Sequence, residues 1–320
     1  MYRIIVNPTA GNGKAQRNYF RIKHSEFYQQ IACRADMTAY DGHAEEIARQ
    51  IAMEPEKPDC VIVIGGDGTL HEVMNGLYPK VTSIAFIPSG SGNDFARGCK
   101  IDKDPLAVFE KIVTEKQASD YWLGNYRVND TNERIFVNSM GFGFDALVTE
   151  RANQSFYKKL LNKFGIGTAS YAIAIMQILF TFKPLTVDIT IDGKQERITD
   201  CWMVTIANHP FYGGGMKIIP DARVQPGSFP VLIFHSASKW KVLALFITVF
   251  TGKHVRFKGV DVRTVNRLQI VSKKPITYQV DGQTGHCHSC VVMKQGRPIA
   301  LSGANLKDDQ IHPLLGSAEK

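Results

Sequence analysis

The sequence predicts an α/β domain followed by a mostly antiparallel β domain, and three observations carry that expectation. Short apolar or β-branched runs end in glycine-rich, hydroxyl-rich loops three times within the first hundred residues. Strand and helix signals alternate up to about residue 122. From about Asp120 the period changes to successive strands separated by turns, with Asp192-Gly193 as a hairpin signal.

The elements follow in order. Tyr2 to Val6 reads as a strand that runs into Asn7-Pro8-Thr9-Ala10-Gly11-Asn12-Gly13-Lys14. Arg17 to Gln30 reads as a helix, and Ala44 to Met53 as another after the turn Asp41-Gly42. Cys60 to Ile64 is a short β-branched run bounded by glycines, the signature of a buried parallel strand. Gly65-Gly66-Asp67-Gly68-Thr69 follows at once. Leu70 to Leu77 then places apolar residues at i, i+3, i+4 and i+7, an amphipathic helix. Ile84 to Ile87 is a strand ending in Pro88-Ser89-Gly90-Ser91-Gly92-Asn93-Asp94. Pro105 to Glu115 is a helix with proline in its first turn. Later strands are expected at 126–128, 134–137, 186–191, 201–206, 230–235, 267–272 and 276–280, with helices near 155–182 and 238–250.

The turn at Gly65 to Thr69 is the most informative segment. Glycines let a backbone approach a ligand closely, and N–H groups at a helix start favour phosphate. A bare carboxylate repels phosphate, so Asp67 makes sense if it works through Mg²⁺ or water; the plainer alternative is a helix cap. Ligands of open α/β sheets bind at the carboxyl ends of strands, so three such loops make a pocket for a phosphorylated ligand. None is a Walker A loop. Gly141-Phe142-Gly143-Phe144-Asp145-Ala146 is a Rossmann-like match, but Leu160 to Ser170 holds no acidic residue for a ribose, which argues against a dinucleotide.

Bulk properties narrow the classes further. The 320 residues carry 38 Lys and Arg against 30 Asp and Glu, a formal charge of +8 that suits anionic partners. No nucleic-acid motif accompanies the charge, so an anionic membrane surface is the expected partner. Met1-Tyr2-Arg3 leads straight into a strand, with no signal peptide, and the apolar stretches at 165–182 and 242–250 read as helices of a soluble protein. The six cysteines are expected as free thiols. His286-Cys287-His288-Ser289-Cys290 lacks the second Cys pair of a zinc ribbon; on a strand, 286, 288 and 290 would face one way and 287 the other.

Taken together, Asn7-Pro8 with Gly11, Thr38 with His43-Ala44, Gly65 to Thr69, Pro88 to Gly98, Asn138 with Gly141 to Ala146, Gly213-Gly214-Gly215-Met216, Gly252-Lys253-His254 and Asp281-Gly282 resemble the bacterial diacylglycerol kinase and lipid kinase family, related to sphingosine kinases. The resemblance covers nearly the whole chain. It implies an ATP-binding domain at 1–122, joined by a C-terminal segment from about 302 to 320, and a β-sandwich lipid-binding domain at 123–301. It implies an ATP-dependent, Mg²⁺-using, cytoplasmic and peripheral membrane enzyme of lipid metabolism that phosphorylates a lipid hydroxyl, by default diacylglycerol to phosphatidate. A sphingoid or isoprenoid-type alcohol, or a weakly catalytic regulator, are the alternatives; a homodimer is compatible with the pattern. ATP would be contacted by Asn7, Gly11, Thr38, Gly65, Gly66, Asp67, Gly68, Thr69, Leu70, His71, Glu72, Ser91 and Asn93. Asp67 would orient Mg²⁺, and Asp281, opening the family's Asp-Gly-Glu motif, would be the base. Two departures stand out. Gln283 replaces the motif's glutamate, and Pro226 replaces an acidic residue after the Gly-Gly-Gly-Met segment. Both remove negative charge, so the family's second Mg²⁺ site is expected to be absent.

Overall fold

A computed structural model describes residues 1–80, 83–115, 117–154 and 178–306; of residues 246 and 247 it describes the backbone only. The first sheet contains β1 (Tyr2–Val6), β2 (Cys33–Met37), β3 (Cys60–Gly65), β4 (Ser83–Pro88), β5 (Ala118–Tyr121) and, from the far end of the chain, β17 (Ile299–Ser302). Its strand order is β2-β1-β3-β4-β17-β5, with β1 to β4 and β17 parallel and β5 antiparallel to β17. β3 is buried along its whole length, as a strand covered on both faces must be.

The helices are α1 (Ala10–Lys23), α2 (Glu26–Gln29), α3 (His43–Met53), α4 (Asp67–Leu77), α5 (Asp94–Gly98) and α6 (Pro105–Thr114). The helix expected over Arg17 to Gln30 is thus two pieces. Ser25 caps the second, accepting from the Tyr28 N–H. The first begins at Ala10 through a left-handed stretch at Gly11, Asn12 and Gly13. β2 escaped the sequence reading because Cys33-Arg34-Ala35-Asp36-Met37 has neither a β-branched residue nor a clear alternation. The return to the first sheet begins at Ile299 rather than about 302, where Ile299 and Leu301 bury themselves beside β4.

The second domain is one curled, wholly antiparallel sheet of nine strands. They are β6 (Gly124–Val128), β7 (Arg134–Phe136), β8 (Ser139–Gly143), β9 (Leu185–Ile191), β10 (Lys194–Ala207), β13 (Phe229–His235), β14 (Val260–Val265), β15 (Arg267–Val280) and β16 (Gln283–Lys294). A two-stranded ribbon, β11 (Phe211–Tyr212) and β12 (Met216–Lys217), stands apart. The long strands β10 and β15 each pair with β9 by one half and with β8 by the other. Register shifts at Ile198/Cys201 and Val271/Ile276 let them bend from one layer to the next, which makes a sandwich. Asp192 and Gly193 have φ of 46° and 86° and join β9 to β10, the backbone of a two-residue hairpin.

One expectation on β16 is corrected by the same irregularity. Cys287 and Cys290 are both buried, while His286 and His288 are exposed, so the strict alternation breaks between 287 and 290. Two further helices belong to this domain, α7 (Phe144–Gln154) and α8 (Lys239–Thr248). Of the helix expected near 155–182, residues 178–181 are helical and 155–177 lie outside the described residues. Among the described residues no helix is long and apolar enough to cross a membrane.

Candidate active site

The three glycine loops do converge, at the carboxyl ends of β1, β3 and β4. Gly66 and Gly90 touch backbone to backbone: a Cβ on Gly90 would lie 2.6 Å from the Gly66 Cα. A Cβ on Gly11 would lie 2.1 Å from the Ser89 carbonyl oxygen, and Gly11 holds φ at 58°. Only glycine lets these turns close on one another. The Ser89 N–H donates to the Gly65 carbonyl at 2.7 Å, and Asn93 braces its own loop by bonding both the N–H and the carbonyl of Gly90. Asn7 donates to the Thr69 hydroxyl at 3.0 Å and accepts from Thr9, tying the first loop to the second.

The expected contact residues divide by position. Asn7, Gly11, Gly65, Gly66, Asp67, Gly68, Thr69, Ser91 and Asn93 surround the joined turns. Thr38 is buried at the end of β2, its N–H on the Val6 carbonyl. Leu70 is fully buried in the core of the first domain, so its side chain faces away from the turn. Glu72 turns back to the backbone N–H groups of Gly42 and Ala44 at the start of α3. His71 faces the second domain.

Asp67 lies at the first turn of α4 and accepts N–H bonds from Asp94 at 3.1 Å and Phe95 at 3.0 Å. The residue keeps some surface, yet protein crowds its carboxyl, and that burial, with Asp94 and Asp281 nearby, pushes its pKa up to about 6. Asp94, also raised by burial, accepts from the Gly214 N–H at 2.7 Å and pairs with Arg97. Gly213, Gly214 and Gly215 all hold positive φ, so the Gly-Gly-Gly segment of the second domain is folded as a turn against Asp94 of the first. Arg97 also stacks on Phe211 at 5.6 Å.

Asp281 sits at a turn and carries a buried carboxylate. With Gly282 it forms the left-handed turn between β15 and β16, and its side chain is fully buried. Four donors meet its carboxylate: His71 Nδ1 at 2.8 Å and the backbone N–H groups of Val137, Asn138 and Ser139 at 2.8 to 3.0 Å. Asn75, one turn beyond His71, donates to the Ile135 carbonyl and accepts from its N–H. Tyr78 donates to Glu133, and Arg134 binds Glu45 of α3 through both its terminal nitrogens at 2.7 and 3.2 Å. The helix that begins at the Asp67 turn therefore carries the seam between the two domains on one face.

Further buried polar groups in this seam were not found by sequence reading. His209 donates from Nε2 to Asn138 Oδ1 at 2.8 Å and accepts at Nδ1 from the Phe211 N–H; burial lowers its pKa to about 4, so it is neutral. Lys294 donates to Asn208 at 2.6 Å, and burial lowers its pKa to about 7. Their partners lie 71 and 86 residues away in sequence, so no local signal marks them.

Behind the seam, in the second domain, lies a partly open apolar cavity. Phe144, Val148, Met203, Phe234 and Leu245 are among its apolar walls, and Asp145 is its one carboxylate. Asp145 accepts from the Thr205 hydroxyl through Oδ2, while Oδ1 has no partner. Its pKa is pushed up to about 7 by burial.

Among the described residues no cluster of three or more His, Cys, Asp or Glu side chains is placed to hold a metal ion. A single carboxylate is nevertheless the donor set that suits a nucleotide-borne Mg²⁺, which keeps waters and phosphate oxygens as its other ligands. Asp67 retains free lone pairs beyond its two N–H bonds, and the Asp94 charge beside it favours a cation. Gln283 and Pro226 are both exposed.

A turn of backbone N–H groups and an acidic residue, set across a seam from an apolar cavity, define a phosphotransferase that handles an apolar acceptor. Comparison with known proteins agrees. Residues 1–124 match the Diacylglycerol kinase catalytic domain, and residues 138–302 match the YegS C-terminal NAD kinase beta sandwich-like domain. A Bacillus subtilis protein named as a lipid kinase, YtlR, is 33% identical over 283 residues, covering 87% of this chain and 92% of that one. A Mycobacterium tuberculosis diacylglycerol kinase is 30% identical over 263 residues, 80% of each chain. A Bacillus anthracis structure described as a diacylglycerol kinase superposes with a TM-score of 0.72 at 21% identity, over 95% of this chain and 96% of that one, which speaks to the fold. The chain belongs to the bacterial diacylglycerol kinase-like family and is a lipid kinase.

Proposed function

We propose that the protein transfers the γ-phosphate of ATP to the free hydroxyl of diacylglycerol at an anionic membrane surface, giving phosphatidate. The observation that carries this reading is the junction itself. The Gly65–Asp67 turn and the Asp94 loop face the Gly213–Gly215 turn of the second domain, and the cavity beside them is apolar enough for acyl chains. In the reaction the lipid oxygen attacks the γ-phosphorus, the bond from that phosphorus to the β-bridging oxygen breaks, and ADP leaves. Phosphoryl transfer asks mainly for positioning and charge neutralisation. The glycine turns would cradle the phosphates through their N–H groups. Asp67 would hold Mg²⁺, which, when bound, offsets charge on the phosphates.

Asp281 is assigned as the acceptor of the hydroxyl proton. Its four donors leave no vacant position in the present arrangement, so the lipid hydroxyl must replace one of them. Three are backbone N–H groups fixed by the turn at 137–139; His71 is the one side-chain donor and therefore the exchangeable one.

The test is incubation with labelled ATP, Mg²⁺ and a total lipid extract, followed by identification of the product. Labelled phosphatidate, lost in Asp281→Asn with ATP affinity retained, supports the assignment. A labelled lipid of another class would replace diacylglycerol as the acceptor. No labelled lipid from a folded protein would remove the reading.

A further inference from the structure

Helix α8 has two faces with different neighbours. Val242, Leu245 and, just past its end, Val249 line the cavity. On the other side Trp240 is 74% exposed, the largest exposure of any large hydrophobic residue described. Lys239 and Lys241 flank it, and Lys239 donates to the Phe180 carbonyl at 2.6 Å. That bond brings the backbone of a second exposed aromatic, Phe180 at 56%, to the start of α8, and Phe250, just past the end of the helix, is 51% exposed. Exposed aromatics of this size are costly in water unless something covers them.

The charge around them selects the cover. From Ala222 to Val260 the sequence holds Arg223, Lys239, Lys241, Lys253, Arg256 and Lys258 and not one acidic residue. Lys241 bonds the Lys258 carbonyl, two residues past the short 3₁₀ turn at Lys253–Arg256 that carries Lys253 and Arg256. The next acidic residue, Asp261, is held by His235 and Arg263. Tryptophan flanked by lysines is suited to a membrane interface: the indole enters the headgroup layer and the ammonium groups meet lipid phosphate.

We propose that the Trp240–Phe180 face, with Lys239 and Lys241, is the docking surface for an anionic phospholipid bilayer. Because α8 is also a wall of the cavity, docking sets the cavity against the membrane, and an acyl chain passes between them without crossing water. This rests on the lipid kinase reading for its purpose but not for its test.

The test measures binding without turnover. The full chain is co-sedimented with phosphatidylcholine vesicles, with and without phosphatidylglycerol, in the absence of ATP. Binding should require the anionic lipid and fall as salt rises. Each lysine near the surface is worth about 1 kcal/mol, so Lys239→Gln with Lys241→Gln should weaken binding by about thirtyfold. Trp240→Ser and Phe180→Ser should each weaken it separately, so one poorly folded variant does not decide the matter; each is checked by its thermal transition. Phosphorylation of diacylglycerol dispersed in detergent micelles should remain unchanged in all of them. Vesicle binding by the wild type that these substitutions leave intact, binding indifferent to lipid charge, or no binding at all would overturn the proposal. Binding through this face by a protein that phosphorylates no lipid would sink the kinase reading alone.

Discussion

Replacing Asp145 by asparagine should change how stability depends on pH, in a direction set by the burial of its carboxyl. The carboxyl is 6% exposed, accepts from Thr205, and leaves Oδ1 without a partner beside an apolar cavity. Burial raises its pKa from 3.8 to about 7. The titratable neighbour packed near it on β10 is the Cys201 thiol, itself raised to about 12 and neutral throughout. A raised carboxyl binds its proton more tightly folded than unfolded. The folded state therefore loses stability as pH climbs from about 4 to about 7, and the full cost is on the order of 4 kcal/mol above that range. The asparagine side chain keeps the shape and one acceptor but cannot ionise. Denaturant unfolding of Asp145→Asn and wild type at about pH 5 and about pH 8 isolates the ionisation term, because differences in hydrogen bonding cancel between the two conditions. The advantage of the variant should grow by about 3 kcal/mol from the lower to the higher pH. Parallel stability profiles for the two proteins would refute the claim that this carboxyl is charged at a cost.

Other consequences are open to direct measurement. Asp67→Ala should abolish ATP-dependent lipid phosphorylation while the protein still unfolds cooperatively; near wild-type turnover from the folded variant would show that the carboxylate is not needed. Gly90→Ala places a Cβ 2.6 Å from the Gly66 Cα, so the two phosphate turns must part; a fall in ATP affinity larger than any change in lipid KM is expected from steady-state kinetics. Gln283→Glu combined with Pro226→Asp restores the two negative charges of the family pattern and should raise the lipid kinase rate; an unchanged rate would indicate adaptation to a different acceptor. Arg134→Ala removes the two-pronged bond to Glu45 and, with that carboxylate only partly exposed, should cost about 1 to 2 kcal/mol in stability by denaturant titration.

The parts of the fold legible in the sequence were those written in local pattern. β3 and α4 follow from a β-branched run, a glycine turn and a helical stripe, and the β9–β10 hairpin follows from Asp192-Gly193. β2 and the division of the first long helix were less legible because their residues favour no single state and tertiary packing decides. The site divides in the same way. The phosphate turns announce themselves by glycines that admit no side chain. Nothing beside Asp281 in the sequence announces a buried carboxylate, since what buries it, His71 and the 137–139 backbone, lies 142 to 210 residues away. His209 and Lys294 carry no local mark for the same reason. The alternation at Cys287 to Cys290 failed because a strand that bends between layers does not keep a period of two.

The strand β17 lies between β4 and β5, and it is the last strand of the chain that the structure describes. β5 pairs with no other strand of its sheet. During synthesis the nucleotide-binding half therefore emerges first but lacks an interior strand until the whole lipid-binding half has followed it. A nascent chain released near residue 124 would carry every phosphate turn and still present an open sheet edge at β4, with β5 unpaired. The fragment is a template for pairing with other chains rather than a working half-enzyme. Completion of the acceptor domain is what closes the sheet of the donor domain.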